Sequence, residues 1–232
     1  MNIYVVVEGE VGEKQVYREW IPCVNPLLTY SPTLDQVITN NYYIVHGGGY
    51  PQYFTMIKNA IEDVRNITTT DGALLFNRLV ISADSEENTY DEKRIEIETF
   101  ITTQMQQRQD NDIDYKVIIQ NFCLEAWCLG NRKIISQITN SQELLKYTKH
   151  YNVKINDPEL LTPFSDESLT KAQHAEKYLR HALLNKHKNL TYNKTLTCVT
   201  VRNGPQRTTT NPYGRRSTRR FTDTYGRTDP TD

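Results

Sequence analysis

Long apolar runs are missing from this sequence of 232 residues, and none approaches the ~18 residues that a bilayer-spanning helix requires. Residues 1–9 contain neither the basic segment nor the small-residue cleavage site of an export signal. Only four cysteines occur, and none of them forms a Cys-x-x-Cys pair, so the pattern indicates no disulfide framework or zinc site. We therefore expect a cytoplasmic protein with reduced cysteines and no membrane partner.

An excess of one charge is also missing, because 27 Lys and Arg face 28 Asp and Glu. This balance argues against a simple polycation that coats nucleic acid. The two signs are nevertheless separated along the chain. Acidic residues concentrate at residues 8–13 and 84–98, whereas residues 203–232 are rich in arginine.

Two common phosphate-binding motifs are absent, since the sequence has neither a Walker A loop nor a Gly-x-Gly-x-x-Gly pattern. It does have a run of three glycines, Gly47, Gly48 and Gly49, between a predicted strand and a predicted helix. Backbone N–H groups in such a loop can bind a phosphate at a helix N-terminus. We therefore count these glycines among the predicted substrate-binding residues.

Short apolar runs alternate with helical patterns through residues 1–130. The runs predict strands at residues 3–7, 42–45, 79–83 and 115–119, and the intervening patterns predict helices at residues 13–20, 52–67, 90–107 and 122–129. Pro22 is expected to stop the first helix. Continuously apolar strands that alternate with helices are typical of an α/β fold, with a mostly parallel sheet and helices on both faces.

The remainder of the chain is more polar and divides into two parts. Residues 131–202 are predicted to form a helical extension, with helices at 141–149 and 168–188 and an edge strand at 196–201. Residues 203–232 contain almost nothing apolar and are expected to be a basic, flexible tail. The predicted organisation is therefore an α/β core over residues 1–130, the extension and the tail.

The tail contains two arginine pairs with aromatic residues between them. Arg215 and Arg216 are the first pair, and Tyr213 and Phe221 are among the interleaved aromatics. Arginines with nearby aromatic rings favour an arm that binds phosphates by charge and bases by stacking. A solubilising terminus without a partner is the alternative, and the sequence leaves both open.

Carboxylates follow two of the predicted strands. Glu8 comes directly after the first strand, and Asp84 directly after the third, with Glu86 two residues further on. Because ligands of parallel sheets bind beyond the carboxyl ends of the strands, these acids are suitable ligands for Mg²⁺ or Mn²⁺. The alternative is that each acid merely caps the helix that follows it.

A further acid, Glu125, lies within an otherwise apolar segment, residues 122–129. An ionised carboxylate is unfavourable in such surroundings unless it is paired or bound to a metal. We therefore include Glu125 among the candidate metal ligands. The alternative is a carboxylate at the rim of a core helix that accepts hydrogen bonds from an arginine or the backbone.

Three segments of the sequence resemble the RloB-like Toprim proteins. Residues 4–10, YVVVEGE, are similar to the end of that family's first strand and its Glu-Gly-Glu turn. Residues 79–86, LVISADSE, look like the second Toprim motif, and residues 121–129, NFCLEAWCL, resemble the Phe-Glu-x-Trp segment. The resemblance extends over about residues 3–129 and is weaker beyond them.

The resemblance implies a Toprim-like fold and a metal-dependent site that processes nucleic acid, in antiviral defence beside an ABC-type ATPase. Glu8 matches the family's acid after the first strand, and Asp84 matches the first position of its Asp-x-Asp motif. Glu86 departs from the second Asp by one methylene, which leaves the number of metals open. The family also includes members without catalytic activity, so its fold does not by itself establish activity.

These observations together predict a Mg²⁺-dependent (or Mn²⁺-dependent) endonuclease that acts on DNA or RNA, including tRNA. Glu8, Asp84 and Glu86 are the expected catalytic residues, and Lys14 and Arg18 are substrate-binding candidates, with Lys93 and Arg94 as further basic candidates. The alternative function is a non-catalytic module that binds a nucleotide or docks to an ATPase. The sequence leaves open whether the protein forms a homo-oligomer.

Overall fold

The computed structural model describes residues 1–10, 12–106, 113–135 and 141–186. The predicted edge strand at residues 196–201 and the tail with Arg215 and Arg216 lie outside the described residues. Within the described ranges, no helix is long and apolar enough to cross a bilayer.

A five-stranded, entirely parallel sheet forms the centre of the protein. Its strands are β1 (Ile3–Val7), β2 (Thr29–Ser31), β3 (Asn41–His46), β4 (Arg78–Asp84) and β5 (Tyr115–Gln120), in the order β2-β3-β1-β4-β5. The predicted α/β class and the four predicted strands are confirmed. The sequence did not indicate β2, because three residues at a sheet edge, of which only Ser31 is buried, have no apolar pattern.

Six α-helices accompany the strands in the described part of the chain. They are α1 (Gly12–Val24), α2 (Gln52–Asn66), α3 (Tyr90–Gln106), α4 (Leu124–Leu129), α5 (Gln142–His150) and α6 (Lys171–Lys186), with short 3₁₀ turns at Leu34–Gln36, Arg132–Ile134 and Pro158–Leu160. Each predicted helix is present, and the ends that fall on described residues differ from the predicted ones by at most four residues.

The two faces of the sheet are covered by different helices. Tyr4 and Val6 of β1 pack with the apolar sides of α2 and α3, whereas Ile3, Val5 and Val7 pack with Tyr17 and Ile21 of α1. All five residues of β1 are buried, as expected for a strand whose alternate side chains enter two different cores. This double burial is the reason for the continuous apolar run in the sequence.

The prediction that Pro22 ends the first helix was wrong, because α1 continues through it to Val24. A proline inside a helix leaves the carbonyl oxygen four residues earlier without its usual N–H donor. Here that carbonyl belongs to Arg18, and the hydroxyl of Tyr42 donates a hydrogen bond to it at 2.8 Å. The neighbouring strand β3 therefore supplies the donor that Pro22 cannot.

The helical extension shares a core with two helices of the α/β core. Trp20 of α1 stacks on Trp127 of α4, with 6.4 Å between ring centroids, and both contribute to the buried cluster that contains the apolar residues of α5 and α6. Helix α4 itself begins at Leu124, two residues later than predicted, after Phe122 adopts a φ of 51°. The predicted boundary at residue 130 falls within this shared core.

A histidine is completely buried in that shared core. The ring of His174, on α6, packs against Tyr147 and Phe164, with centroids 5.0 and 4.7 Å away, and lies 5.8 Å from His150. Neither ring nitrogen has a hydrogen-bond partner among the described residues. Burial, together with the nearby His150, lowers the pKa of His174 to about 4.

We expect the protein to lose stability as the pH falls from about 6.5 to 4, partly because of His174. The unfolded chain binds a proton on this histidine near its ordinary pKa, whereas the folded chain resists it down to about 4. The full difference corresponds to about 3 kcal/mol in the free energy of unfolding. Urea unfolding across this pH range should show a smaller loss in His174→Phe than in the original protein. Leu27→Ala, a change at a 75% exposed position without a titratable group, is the control, and equal losses in His174→Phe and the original protein would contradict the prediction.

Candidate functional site

The loops after β1 and its two neighbours diverge to opposite faces of the sheet. β1 leads into α1 on one face, while β3 and β4, which flank it, lead into α2 and α3 on the other. In open parallel sheets, such a divergence leaves a crevice at the carboxyl ends of the strands, where ligands bind. The candidate site lies at this crevice.

Glu8 and Asp84 meet at the crevice. β1 and β4 are adjacent and parallel, with Val7 opposite Ser82, so the acids that follow them are brought to one edge. The Oε2 atom of Glu8 accepts a hydrogen bond from the backbone N–H of Asp84 at 3.3 Å. The structure thus brings together two of the three predicted catalytic residues, through the Glu8 carboxylate and the Asp84 backbone.

The electrostatic surroundings of Glu8 are dominated by burial and by other acids. Burial raises the pKa of its carboxyl group, the charge of Lys93 and the Asp84 N–H oppose this, and Glu86 and Glu96 raise it further. A carboxyl group that is buried among like charges favours the protonated form unless a cation is nearby. Lys93 supplies positive charge here.

Glu13 adds a buried carboxyl group behind Glu8. Its Oε2 atom accepts the backbone N–H of Glu8 at 2.9 Å, and the N–H of Gly9 also donates to this carboxylate. Burial, with Glu8 and Glu125 nearby, raises the pKa of Glu13 to about 7. The sequence showed Glu13 near the strand end, but it gave no sign that this side chain closes the turn that positions Glu8.

Gln120, the last residue of β5, holds Asp84 from the other side. The side-chain amide is oriented so that both its nitrogen and its oxygen have hydrogen-bond partners. In this orientation the nitrogen donates to Oδ1 of Asp84 at 2.8 Å and to the carbonyl of Ala83 at 3.1 Å. Its oxygen then accepts from the hydroxyl groups of Tyr17 and Ser82, each at 3.2 Å. Sequence reasoning missed Gln120, and the signal that could have found it is a polar residue that ends an apolar strand.

Lys93 is a largely buried cation beside the acids. It lies on α3 with 6% of its surface exposed, and its Nζ is 3.1 Å from Oε2 of Glu96. The ring centroid of Tyr50 is 5.8 Å from the same nitrogen. Of the basic residues named from the sequence, Lys93 is the one whose charge acts on Glu8.

The other basic candidates on the helices are not among the charges that act on Glu8. The Arg18 guanidinium sits over the ring of Tyr30, 4.7 Å from its centroid, on the side of β2 and β3. Arg94 pairs along its own helix with Asp91 at 3.7 Å and Glu98 at 3.6 Å. Lys14 is partly buried near the start of α1.

Glu86 and Glu125 approach the crevice from two further loops. Glu86 is exposed, has a φ of 52°, and its N–H donates to the carbonyl of Phe122 at 3.1 Å. Glu125, in the first turn of α4, is partly exposed, and its charge raises the pKa of both Glu13 and Cys123. The acids therefore form one cluster built from the loops after β1, β4 and β5.

The three glycines after β3 pack against the end of β1. The N–H of Gly47 donates to the carbonyl of Val7 at 2.9 Å, and that of Gly49 donates to the carbonyl of Glu8 at 3.2 Å. These two N–H groups hold the loop in place and are not available to a phosphate. Gly48 adopts a φ of 70° and has open space around the position of a Cβ atom.

We expect Gly47→Ala to destabilise the protein much more than Gly48→Ala. A Cβ atom on Gly47 would lie 2.7 Å from the Cα atom of Tyr53, and backbone cannot move aside as a side chain can. Such overpacking should lower the free energy of unfolding by about 3 kcal/mol. In Gly48→Ala the left-handed backbone alone should lower it by about 1 kcal/mol. Urea unfolding of both variants checks this, and equal losses would show that the loop yields without moving Tyr53.

The donor set at the crevice suits a hard divalent cation. Among the described residues, no three His, Cys, Asp or Glu side chains are already arranged around one point as metal ligands. Mg²⁺ commonly uses only one or two protein carboxylates and completes its shell with water and substrate phosphate. Glu8 and Asp84, which are linked through the 3.3 Å hydrogen bond, fit that requirement.

No family model matches this chain, and no match was found among curated proteins or solved structures. The fold and site define a parallel α/β protein whose central crevice is lined by carboxylates and the buried Lys93.

Proposed function

We propose that the protein is a Toprim-type nuclease that uses Mg²⁺ or Mn²⁺ to hydrolyse phosphodiester bonds in DNA or RNA. The observation that carries the proposal is the meeting of Glu8 and Asp84 at the point where the loops diverge. Glu13 and Glu125 add charge to the same cluster, and Glu8 and Glu125 raise the pKa of Glu13. A divalent cation would relieve this repulsion.

Five residues at the crevice have a role in the proposed reaction. Glu8 and Asp84 would hold the cation, which when bound neutralises charge on the scissile phosphate and activates water. Gln120 keeps Asp84 oriented through its 2.8 Å hydrogen bond. Glu13 fixes the backbone of Glu8, and Lys93 contributes positive charge next to a phosphate that binds there.

The proposal extends to a biological setting. An ABC-type ATPase as partner and a role in antiviral defence rest on the resemblance of the three sequence motifs. Glu86, whose carboxylate is exposed in the loop after β4, is the candidate for a second metal or for contact with substrate. Arg215 and Arg216 remain predicted contacts to nucleic acid.

Cleavage by the purified full-length chain tests the proposed function. Plasmid DNA, single-stranded oligonucleotides and tRNA would be incubated with Mg²⁺, with Mn²⁺ or with EDTA, and the products separated on denaturing gels. We expect cleavage with a divalent ion and none with EDTA. If no substrate is cut under any of these conditions, the non-catalytic nucleotide-binding or docking module becomes the better explanation.

A further inference from the structure

An exposed aromatic ring lies at the rim of the acidic crevice. Tyr50 is 66% exposed, although most of the large apolar side chains in the described ranges are buried. It directly follows Gly49, whose N–H donates to the carbonyl of Glu8. The loop thus ties the position of this ring to the backbone of a candidate metal ligand.

The ring of Tyr50 packs on a second aromatic ring, which in turn packs on a third. It contacts Phe54 of α2 edge to face, with centroids 5.8 Å apart, and Phe54 contacts Phe100 of α3 at 4.9 Å. Both phenylalanines are partly buried. The support fixes the ring in place while much of its surface remains available for contact.

The charge beside Tyr50 indicates what such a ring would bind. Lys93 lies 5.8 Å from the ring centroid and also acts electrostatically on Glu8, so one lysine connects the aromatic surface with the acidic cluster. A ligand that spans these groups needs an anionic part and a flat apolar part. A nucleotide has both, since its phosphate carries charge and its base has a face that stacks on aromatic side chains.

We infer that Tyr50 is a stacking site for an unpaired nucleobase adjacent to the phosphate that binds in the acidic crevice. This inference rests on the proposed nuclease function and narrows its substrate to single strands, loops or bulges. A base in a continuous duplex is stacked on its neighbours and has no face free for a protein ring. The ring selects an unpaired base of either DNA or RNA.

Binding and cleavage are measured separately to test this inference. The full-length protein is titrated into a fluorescent single strand of about 12 nucleotides, and into the matching duplex, with Ca²⁺ in place of Mg²⁺ to allow binding without turnover. We expect Tyr50→Leu to weaken binding of the single strand by about 5- to 100-fold and that of the duplex much less. Tyr50→Phe, which keeps the ring, should bind nearly as well as the original protein.

Ile38→Ser is the matched surface control, because Ile38 is 78% exposed and lies in the loop before β3, at the opposite end of the strands. If Tyr50→Leu binds the single strand as well as the control does, the inference is overturned. Cleavage in Mg²⁺ is then measured in a separate assay with the same variants. Cleavage that is insensitive to Tyr50→Leu would overturn the inference and leave the nuclease proposal intact. Tyr50-dependent binding without any cleavage would support the stacking site and overturn the nuclease proposal.

Discussion

Replacement of Glu8 or Asp84 by alanine is expected to lower divalent-dependent cleavage on the order of 100-fold or more. Either change removes a carboxylate from the two residues that contact each other across β1 and β4. Raising the metal concentration should restore the cleavage rate only partly, so that a loss remains once the metal is saturating. Single-turnover cleavage with increasing Mg²⁺ measures both quantities.

Two neighbouring acids provide matched controls for this experiment. Glu10 follows Glu8 in the same loop, and Glu87 follows Asp84 by three residues, and both side chains are exposed. Glu10→Ala and Glu87→Ala should retain cleavage, because they remove equal charge from exposed side chains that are not among the predicted ligands. Without metal, Glu8→Ala should unfold at the same or a higher temperature, because its carboxylate raises the pKa of Glu13. Full activity in folded Glu8→Ala or Asp84→Ala would refute the proposed site.

Trp127→Ala is expected to reduce the free energy of unfolding by about 3 to 5 kcal/mol. The indole of Trp127 is 7% exposed, stacks on Trp20, and donates its Nε1–H to the carboxylate of Glu159. Its removal leaves a cavity in the core shared by α1, α4 and the helical extension. Urea unfolding, followed by circular dichroism, measures the loss.

The same unfolding experiment tests whether the helical extension and the α/β core unfold together. Because Trp127 belongs to a cluster that joins both parts, Trp127→Ala should shift a single transition rather than split it into two. Leu27→Ala is the surface control, since Leu27 is 75% exposed and its truncation opens no cavity. Two separate transitions in the variant would mean that the extension unfolds independently.

Much of the fold follows from local patterns in the sequence. The apolar runs predicted β1, β3, β4 and β5 to within one residue, because strands covered by helices on both faces carry apolar residues at most positions. The pattern missed β2, which is held by its pairing with β3. The pattern also predicted too early an end for α1. The reason is that the hydroxyl group that donates a hydrogen bond to the Arg18 carbonyl belongs to Tyr42 of β3, which is distant in the sequence.

The sequence by itself determined the α/β class, because runs of neighbouring apolar residues indicate which strands are buried. It also marked Glu8 and Asp84 as acids at the carboxyl ends of strands, because each directly follows such a run. Only the tertiary structure decided which side chains meet. Glu8 contacts the backbone of a residue 76 positions away, and Gln120 contacts Tyr17 across 103 positions. Such contacts depend on strand order and on the face to which each loop turns, and no local periodicity encodes either. For the same reason, the sequence could not predict that Lys93 lies near Glu8 and Tyr50, because this position depends on the packing of α3 against α2.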